Sequence, residues 1–228
     1  MILFYTPGTC ALAEIIVLQW TGEPHRLCRL SREERQGPVY RSTVNPMGQV
    51  PALLIDGRVL TENTALLALL ADRRPERGLL PVVHTPERYE AHRRLAWFDS
   101  TFHVAHKPLF APQRFHPDPA LHDAIRAQAL VQIRGALSHL DAGLRRSSWV
   151  MGPHRSVVDA YAFALSRWCE SRIDYAAEFP NVKRFLDMMR AEPGVARALQ
   201  IETTEPGPDH LSFAALTAGN VLRGELDA

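Results

Sequence analysis

The sequence predicts an α/β unit followed by an all-α unit, and three observations carry that expectation. Residues 1–77 alternate strand-like and helix-like stretches in the order βαβ then ββα, which gives a small mixed sheet with helices on its faces. The stretch from Pro75 to Pro86 holds three prolines and one glycine, so 78–86 reads as a linker. From 87 to 200 the apolar residues recur at helical spacing, and 201–228 reads as a tail outside the core because it holds Pro206-Gly207-Pro208 and little periodicity.

In order along the chain, Ile2–Tyr5 is a strand, broken by Pro7-Gly8. Thr9 is a plausible N-cap for a helix from Cys10 to Trp20, which Gly22 ends. His25–Leu30 alternates in polarity as a strand does, and the polar stretch Ser31–Val44 with Gly37-Pro38 reads as a loop holding at most an irregular helix. Val50–Ile55, Asp56-Gly57 and Arg58–Leu60 form a hairpin, since Asp-Gly suits a primed turn. Thr64–Arg73 is a helix rich in Ala and Leu.

Thr85-Pro86-Glu87 opens the first long helix with a cap, a first-position proline and an acid. It runs to about Lys107, where Pro108 should end or kink it. Asp118-Pro119 opens a second long helix, and Ser156-Val157-Val158-Asp159 resembles a capping box before a helix that is apolar all round and therefore central. Shorter helices follow at Val182–Arg190 and Val195–Leu199.

The 228 residues are 46% hydrophobic and 22% charged, ordinary for a soluble globular chain. Lys+Arg 26 against Asp+Glu 25 leaves +1, so no charge field favours nucleic acid or a membrane surface. Three cysteines, Cys10, Cys28 and Cys169, are too few and scattered for a disulfide framework, and no stretch is long and apolar enough to span a membrane. The N-terminus lacks a secretory pattern, so a reducing cytoplasm is expected.

Cys10 is the first candidate for chemistry. In a first helical turn, the helix dipole and unpaired amides would favour its thiolate, which is the nucleophilic form. The ordinary fate of a free cysteine is a small core residue, and both readings stay open on position alone. Gln49-Val50-Pro51 enters a strand, where a proline marks a turn and a cis bond can present the Val50 backbone to an extended peptide. Glu62-Asn63 places a carboxylate beside a helix N-terminus, a pair that can hold an amino-acid end, although taken alone a plain cap is the commoner reading. His103 and His106 share a helix face, but no third ligand has matching spacing and no metal is expected. Phe110, Phe115 and Trp168 could line an apolar pocket or simply pack.

Together these residues resemble the glutathione S-transferase superfamily over Met1 to about Leu199, and most of all its bacterial beta class. Tyr5-Thr6-Pro7-Gly8-Thr9-Cys10, Asn45-Pro46-Met47-Gly48-Gln49-Val50-Pro51, Leu60-Thr61-Glu62-Asn63, Ser156–Tyr161 and Ser166-Arg167-Trp168 carry the likeness. The resemblance implies a thioredoxin-like N-terminal domain (1–77) and a helical C-terminal domain (87–200) that contributes the electrophile pocket. It implies glutathione as co-substrate and a homodimer. It places Cys10 against the glutathione sulfur, Val50 beside Gln49 and Pro51 on the cysteinyl backbone, Glu62 on the γ-glutamyl ammonium and Asn63 on its carboxylate. His106 and Lys107 would face the sulfur, the histidine near its normal pKa of about 6.5, and Arg35 would reach the glycyl carboxylate.

The sequence departs from that pattern at Ala11, where serine is frequent, at Asn63, where serine or glycine is usual, at Pro108 directly after Lys107, and at Arg155, where an apolar staple residue would be expected. The expected activity is transfer of glutathione to small hydrophobic electrophiles, thiol-disulfide exchange through Cys10, or both. The competing expectation is a non-catalytic binding protein on the same scaffold, which retention on immobilised glutathione would separate.

Overall fold

A computed structural model describes residues 1–204, 207 and 210–218. The chain divides into two compact units, one of Met1–Leu79 with the segment from Arg190 onward, the other of Leu80–Met189.

The first unit opens with β1 (Ile2–Tyr5), buried along its whole length. After a turn comes α1 (Leu12–Thr21), whose N-cap is Ala11 rather than the expected Thr9. The Thr9 hydroxyl donates instead to the Thr6 carbonyl at 2.6 Å, a local bond that competes with capping and leaves Cys10 ahead of the helix. β2 (Arg26–Arg29) runs parallel to β1. The stretch expected as a loop holds two short helices, α2 (Arg32–Gln36) and α3 (Pro38–Thr43). Ser31 and Glu34 close a capping box on α2, and Pro38 takes the first position of α3, so local chemistry makes both helices without apolar periodicity. β3 (Ala52–Ile55) and β4 (Arg58–Thr61) form the expected hairpin, with positive φ at Asp56 (48°) and Gly57 (70°) as a primed turn requires. Then follows α4 (Asn63–Asp72).

In the second unit, α5 (Pro86–Trp97) starts where Thr85 Oγ1 accepts from the Arg88 N–H at 3.2 Å. A π-helical turn over Phe98–His103 leads into α6 (Val104–Phe110). Pro108 therefore does not end the helix. It lies inside α6, whose last turn is held by ring contacts of Phe110 with His106 and Trp168, so packing outweighs the missing N–H. A 3-10 turn capped by Asp118 precedes α7 (His122–Leu144), and α8 (Val157–Ser166) is buried at every residue. The Asp159 carboxylate accepts from Ser156 N–H (2.7 Å), Ser156 O–H (2.8 Å) and Val150 N–H (2.6 Å), realising the expected box. α9 (Tyr175–Glu178) and α10 (Pro180–Ala191) follow.

The chain then returns to the first unit. α11 (Pro193–Thr203) packs along α1, with Trp20 Nε1 donating to Glu192 Oε2 at 2.7 Å. β5 (His210–Leu211) pairs parallel with β2 and completes the sheet order β4-β3-β1-β2-β5. α12 (Phe213–Ala218) puts Phe213 and Leu216 into the core with Ile2, Phe4, Cys28, Tyr40, Val50 and Leu54. The expectation of a tail outside the core thus does not hold for 210–217. A two-residue strand is too short to show alternation, and its partner lies about 180 residues upstream. Residues 205, 206, 208, 209 and 219–228, including Pro206 and Pro208, lie outside the described residues. Among the described residues no helix is long and apolar enough to cross a membrane.

Candidate active site

Cys10 sits in the turn that joins β1 to α1. Thr6 Oγ1 donates to Leu30 O (3.0 Å), and the Gly8 N–H donates to the buried carboxylate of Glu202 (2.9 Å), so both ends of the turn are fixed. The Cys10 carbonyl accepts from the Ala13 N–H at 3.0 Å, and the residue as a whole is 7% exposed. Sγ lies 3.7 Å from the Val50 carbonyl oxygen, with the thiol as donor. The nucleophile candidate and the peptide-pairing candidate are therefore direct neighbours.

Val50 precedes Pro51 through a cis peptide bond. The two carbonyls before it are each held by two side chains. Gly48 O accepts from Arg35 Nη1 (3.1 Å) and Gln36 Nε2 (2.6 Å), while Gln49 O accepts from the Tyr40 hydroxyl (2.8 Å) and Asn45 Nδ2 (3.0 Å). Gly48 has φ +63°, and a Cβ there would stand 2.9 Å from the Arg35 carbonyl, so only glycine fits this turn. Arg35 thus directs one guanidinium nitrogen at the loop itself. Gln36, Tyr40 and Asn45 are supports that the site reading from sequence left out. Asn45 stood in a quoted motif, whereas nothing local marked the other two.

Glu62 adopts φ 74° and ψ 115°, a conformation that costs a non-glycine residue of order 1–3 kcal/mol. Its carbonyl accepts from the Leu66 N–H (3.0 Å), but its side chain makes no capping bond and is exposed. The plain-cap reading therefore fails, and a strained backbone presents an exposed carboxylate beside the first amides of α4. Asn63, next in line, is buried.

In the helical unit, His106 is 1% exposed and caged by the rings of Phe102, Phe110 and Trp168 at 4.9, 6.1 and 5.1 Å. Its Nδ1 lies 2.8 Å from the Phe102 carbonyl, which fixes the proton there and leaves Nε2 as an acceptor with no partner among the described residues. Burial pushes this histidine down to about 4, against the opposing carbonyl bond and with a small contribution from His103. The expectation of a near-normal histidine is thus corrected: at neutral pH His106 carries no charge and can only receive a proton. Lys107 is exposed. Phe110, 53% exposed, and half-buried Trp168 meet at 5.6 Å, whereas Phe115 is not among the rings around His106 or Trp168.

His103 Nδ1 lies 2.9 Å from the Tyr161 hydroxyl, which donates to Asp99 at 2.8 Å. This chain engages His103 with neighbours on its own unit, and among the described residues no group of three or more His, Cys, Asp or Glu could hold a metal ion. Burial pushes the Cys28 and Cys169 thiols up to about 12 and about 11, which keeps them protonated and inert.

Residues 14–78 match the family model described as glutathione S-transferase, N-terminal domain, and 99–193 match that of the C-terminal domain, so Cys10 lies outside both matched stretches. Glutathione S-transferase GST-4.5 of Xanthomonas campestris is 32% identical over 202 residues, covering 89% of this chain and 98% of that protein. A sphingomonad glutathione S-transferase solved in complex with glutathione superposes with a TM-score of 0.81 at 34% identity, covering 90% of this chain and 100% of that one. A bacterial beta class enzyme from Sphingomonas chungbukensis gives 0.80 at 34% identity, covering 89% and 99%. This chain, most like the bacterial beta class by its motifs, belongs to the glutathione S-transferase family.

Proposed function

We propose that the protein is a glutathione-dependent transferase working through Cys10. The observation that carries this reading is the 3.7 Å approach of Cys10 Sγ to the Val50 carbonyl, beside the cis Val50–Pro51 bond that leads into β3. Glutathione would pair its cysteinyl backbone with Val50 and set its γ-glutamyl ammonium on the Glu62 carboxylate. Its γ-glutamyl carboxylate would take the amides at the start of α4 and Asn63. Arg35, whose Nη1 donates to the Gly48 carbonyl, would reach the glycyl carboxylate.

Two reactions follow. In exchange, the Cys10 thiolate attacks the glutathionyl sulfur of a mixed disulfide, forming a Cys10–glutathione disulfide and releasing the partner thiolate. A second glutathione thiolate then attacks that sulfur, giving glutathione disulfide and restoring Cys10. In conjugation, the glutathione thiolate attacks an electrophilic carbon and a leaving group such as halide departs. Neutral His106 would accept a hydrogen bond from the thiol without holding its proton, Lys107 would supply positive charge, and Phe110, Phe115 and Trp168 would line the electrophile pocket. A homodimer in a reducing cytoplasm, serving detoxification or redox balance, completes the proposal; the three free cysteines accord with that compartment.

The test is intact mass after incubation with glutathione disulfide, on wild type and Cys10→Ala. One glutathionyl adduct on wild type that vanishes in the variant supports exchange through Cys10. Binding without an adduct shifts the reading to conjugation, and absence of both binding and adduct overturns it in favour of a non-catalytic scaffold.

A further inference from the structure

Phe213 is a buried aromatic residue far along the chain from the candidate site, beyond both matched family stretches, the second of which ends at residue 193. The similar proteins are matched over nearly their whole length yet leave about a tenth of this chain unmatched. Leu27↔His210 and Cys28↔Leu211 pairing sets the start of α12 over the sheet and delivers the Phe213 ring onto Tyr40. The rings of Phe213, Tyr40 and Phe4 form a closed trio, edge to face, with centroids 5.8, 6.1 and 6.4 Å apart.

Tyr40 is fully buried, and burial pushes its phenol up, so the hydroxyl stays a donor. That hydroxyl holds the Gln49 carbonyl at 2.8 Å, one residue before Val50, and Val50 itself lies in the same buried cluster as Phe213. β5 is tied down a second time where His210 Nε2 meets the Tyr5 hydroxyl at 2.8 Å, at the end of the strand that leads to Cys10.

We infer that Phe213 is a positioning residue for the glutathione-binding loop. It wedges Tyr40 against Phe4 so that the tyrosine hydroxyl fixes Gln49 and sets the Val50 backbone for peptide pairing. The inference rests on the glutathione reading above. Two pre-organising side chains on one carbonyl reduce the ordering that binding must impose, and weakening one of them lowers affinity without altering the reacting atoms.

The experiment measures KM for glutathione and kcat in wild type, Phe213→Leu, Tyr40→Phe and the double variant, with a thermal melt of each. Leucine keeps most of the buried volume, and Tyr40→Phe keeps the packing while deleting only the hydroxyl. Each single variant raises KM for glutathione about three- to tenfold, the effect of one hydrogen bond, with kcat within about twofold of wild type. The double variant is no worse than Tyr40→Phe alone, because both act through one contact. A Phe213→Leu protein with unchanged KM, or a double variant whose effects multiply, overturns the inference while the glutathione reading stands. A wild type that glutathione never saturates overturns both.

Discussion

The buried charge state of His106 makes a prediction that stability measurements alone can check. The ring titrates near 6.5 in an unfolded chain and near 4 in the fold, because desolvation opposes the imidazolium. The folded pKa is depressed, so the unfolded state binds more protons between these values. Stability is full above about 6.5 and is lost as pH falls toward 4. At pH 5 the unfolded ring is almost wholly protonated and the folded one about a tenth so, a difference of roughly 2 kcal/mol. His106→Phe keeps the ring packing against Phe102, Phe110 and Trp168 and removes the titration. The assay is guanidinium unfolding at pH 7 and pH 5, followed by tryptophan fluorescence, since Trp97, Trp149 and Trp168 all belong to the helical unit. Wild type should lose about 2 kcal/mol more than His106→Phe between the two pH values. Equal losses in the two proteins would refute a neutral, caged His106 and return it to the role of a charged thiolate stabiliser.

Glu62→Gly relieves the backbone at φ 74° and deletes the carboxylate, so it should gain about 1 kcal/mol in stability while raising KM for glutathione roughly tenfold. A thermal melt and initial rates at varied glutathione check both halves, and loss of stability would contradict the strain argument. Asp159→Ala strands the Ser156 N–H, the Ser156 hydroxyl and the Val150 N–H in a buried site, at a cost of about 3 kcal/mol by chemical denaturation. Asp159→Asn should recover part of that loss.

The elements legible in the sequence were those whose cause is local. Asp56-Gly57 dictates a primed turn, Thr85-Pro86 a helix start, and Ser156 with Asp159 a box, each within four residues. Cys10, Val50–Pro51 and Glu62 stood out as candidates because their neighbours form recognisable motifs, and of these the structure sets Cys10 Sγ against the Val50 carbonyl. What escaped depends on partners far along the chain. Glu202 on Gly8, His210 on Tyr5 and Phe213 on Tyr40 join residues more than 170 positions apart, and no window of sequence displays such pairs. The charge state of His106 escaped for the same reason, since desolvation by Trp168 and Phe110 is a property of the packed cage. Pro108 misled because a rule for isolated helices yields to a ring stack that holds the final turn.

The late return of the chain to its first unit also sets an order of assembly. The helical unit is one continuous stretch, Leu80–Met189, and every residue it needs leaves the ribosome before α11 and β5 do. β2 emerges early but waits for residues 210 and 211 to cover its outer edge. At about 5–20 residues per second, the intervening stretch of roughly 180 residues takes on the order of 10–40 s to synthesise. During that interval the nascent sheet carries an open parallel edge, the kind of surface on which other chains pair. β5 therefore does for the growing polypeptide what a chaperone would otherwise have to do, and it does so only about 180 residues after β2 has emerged.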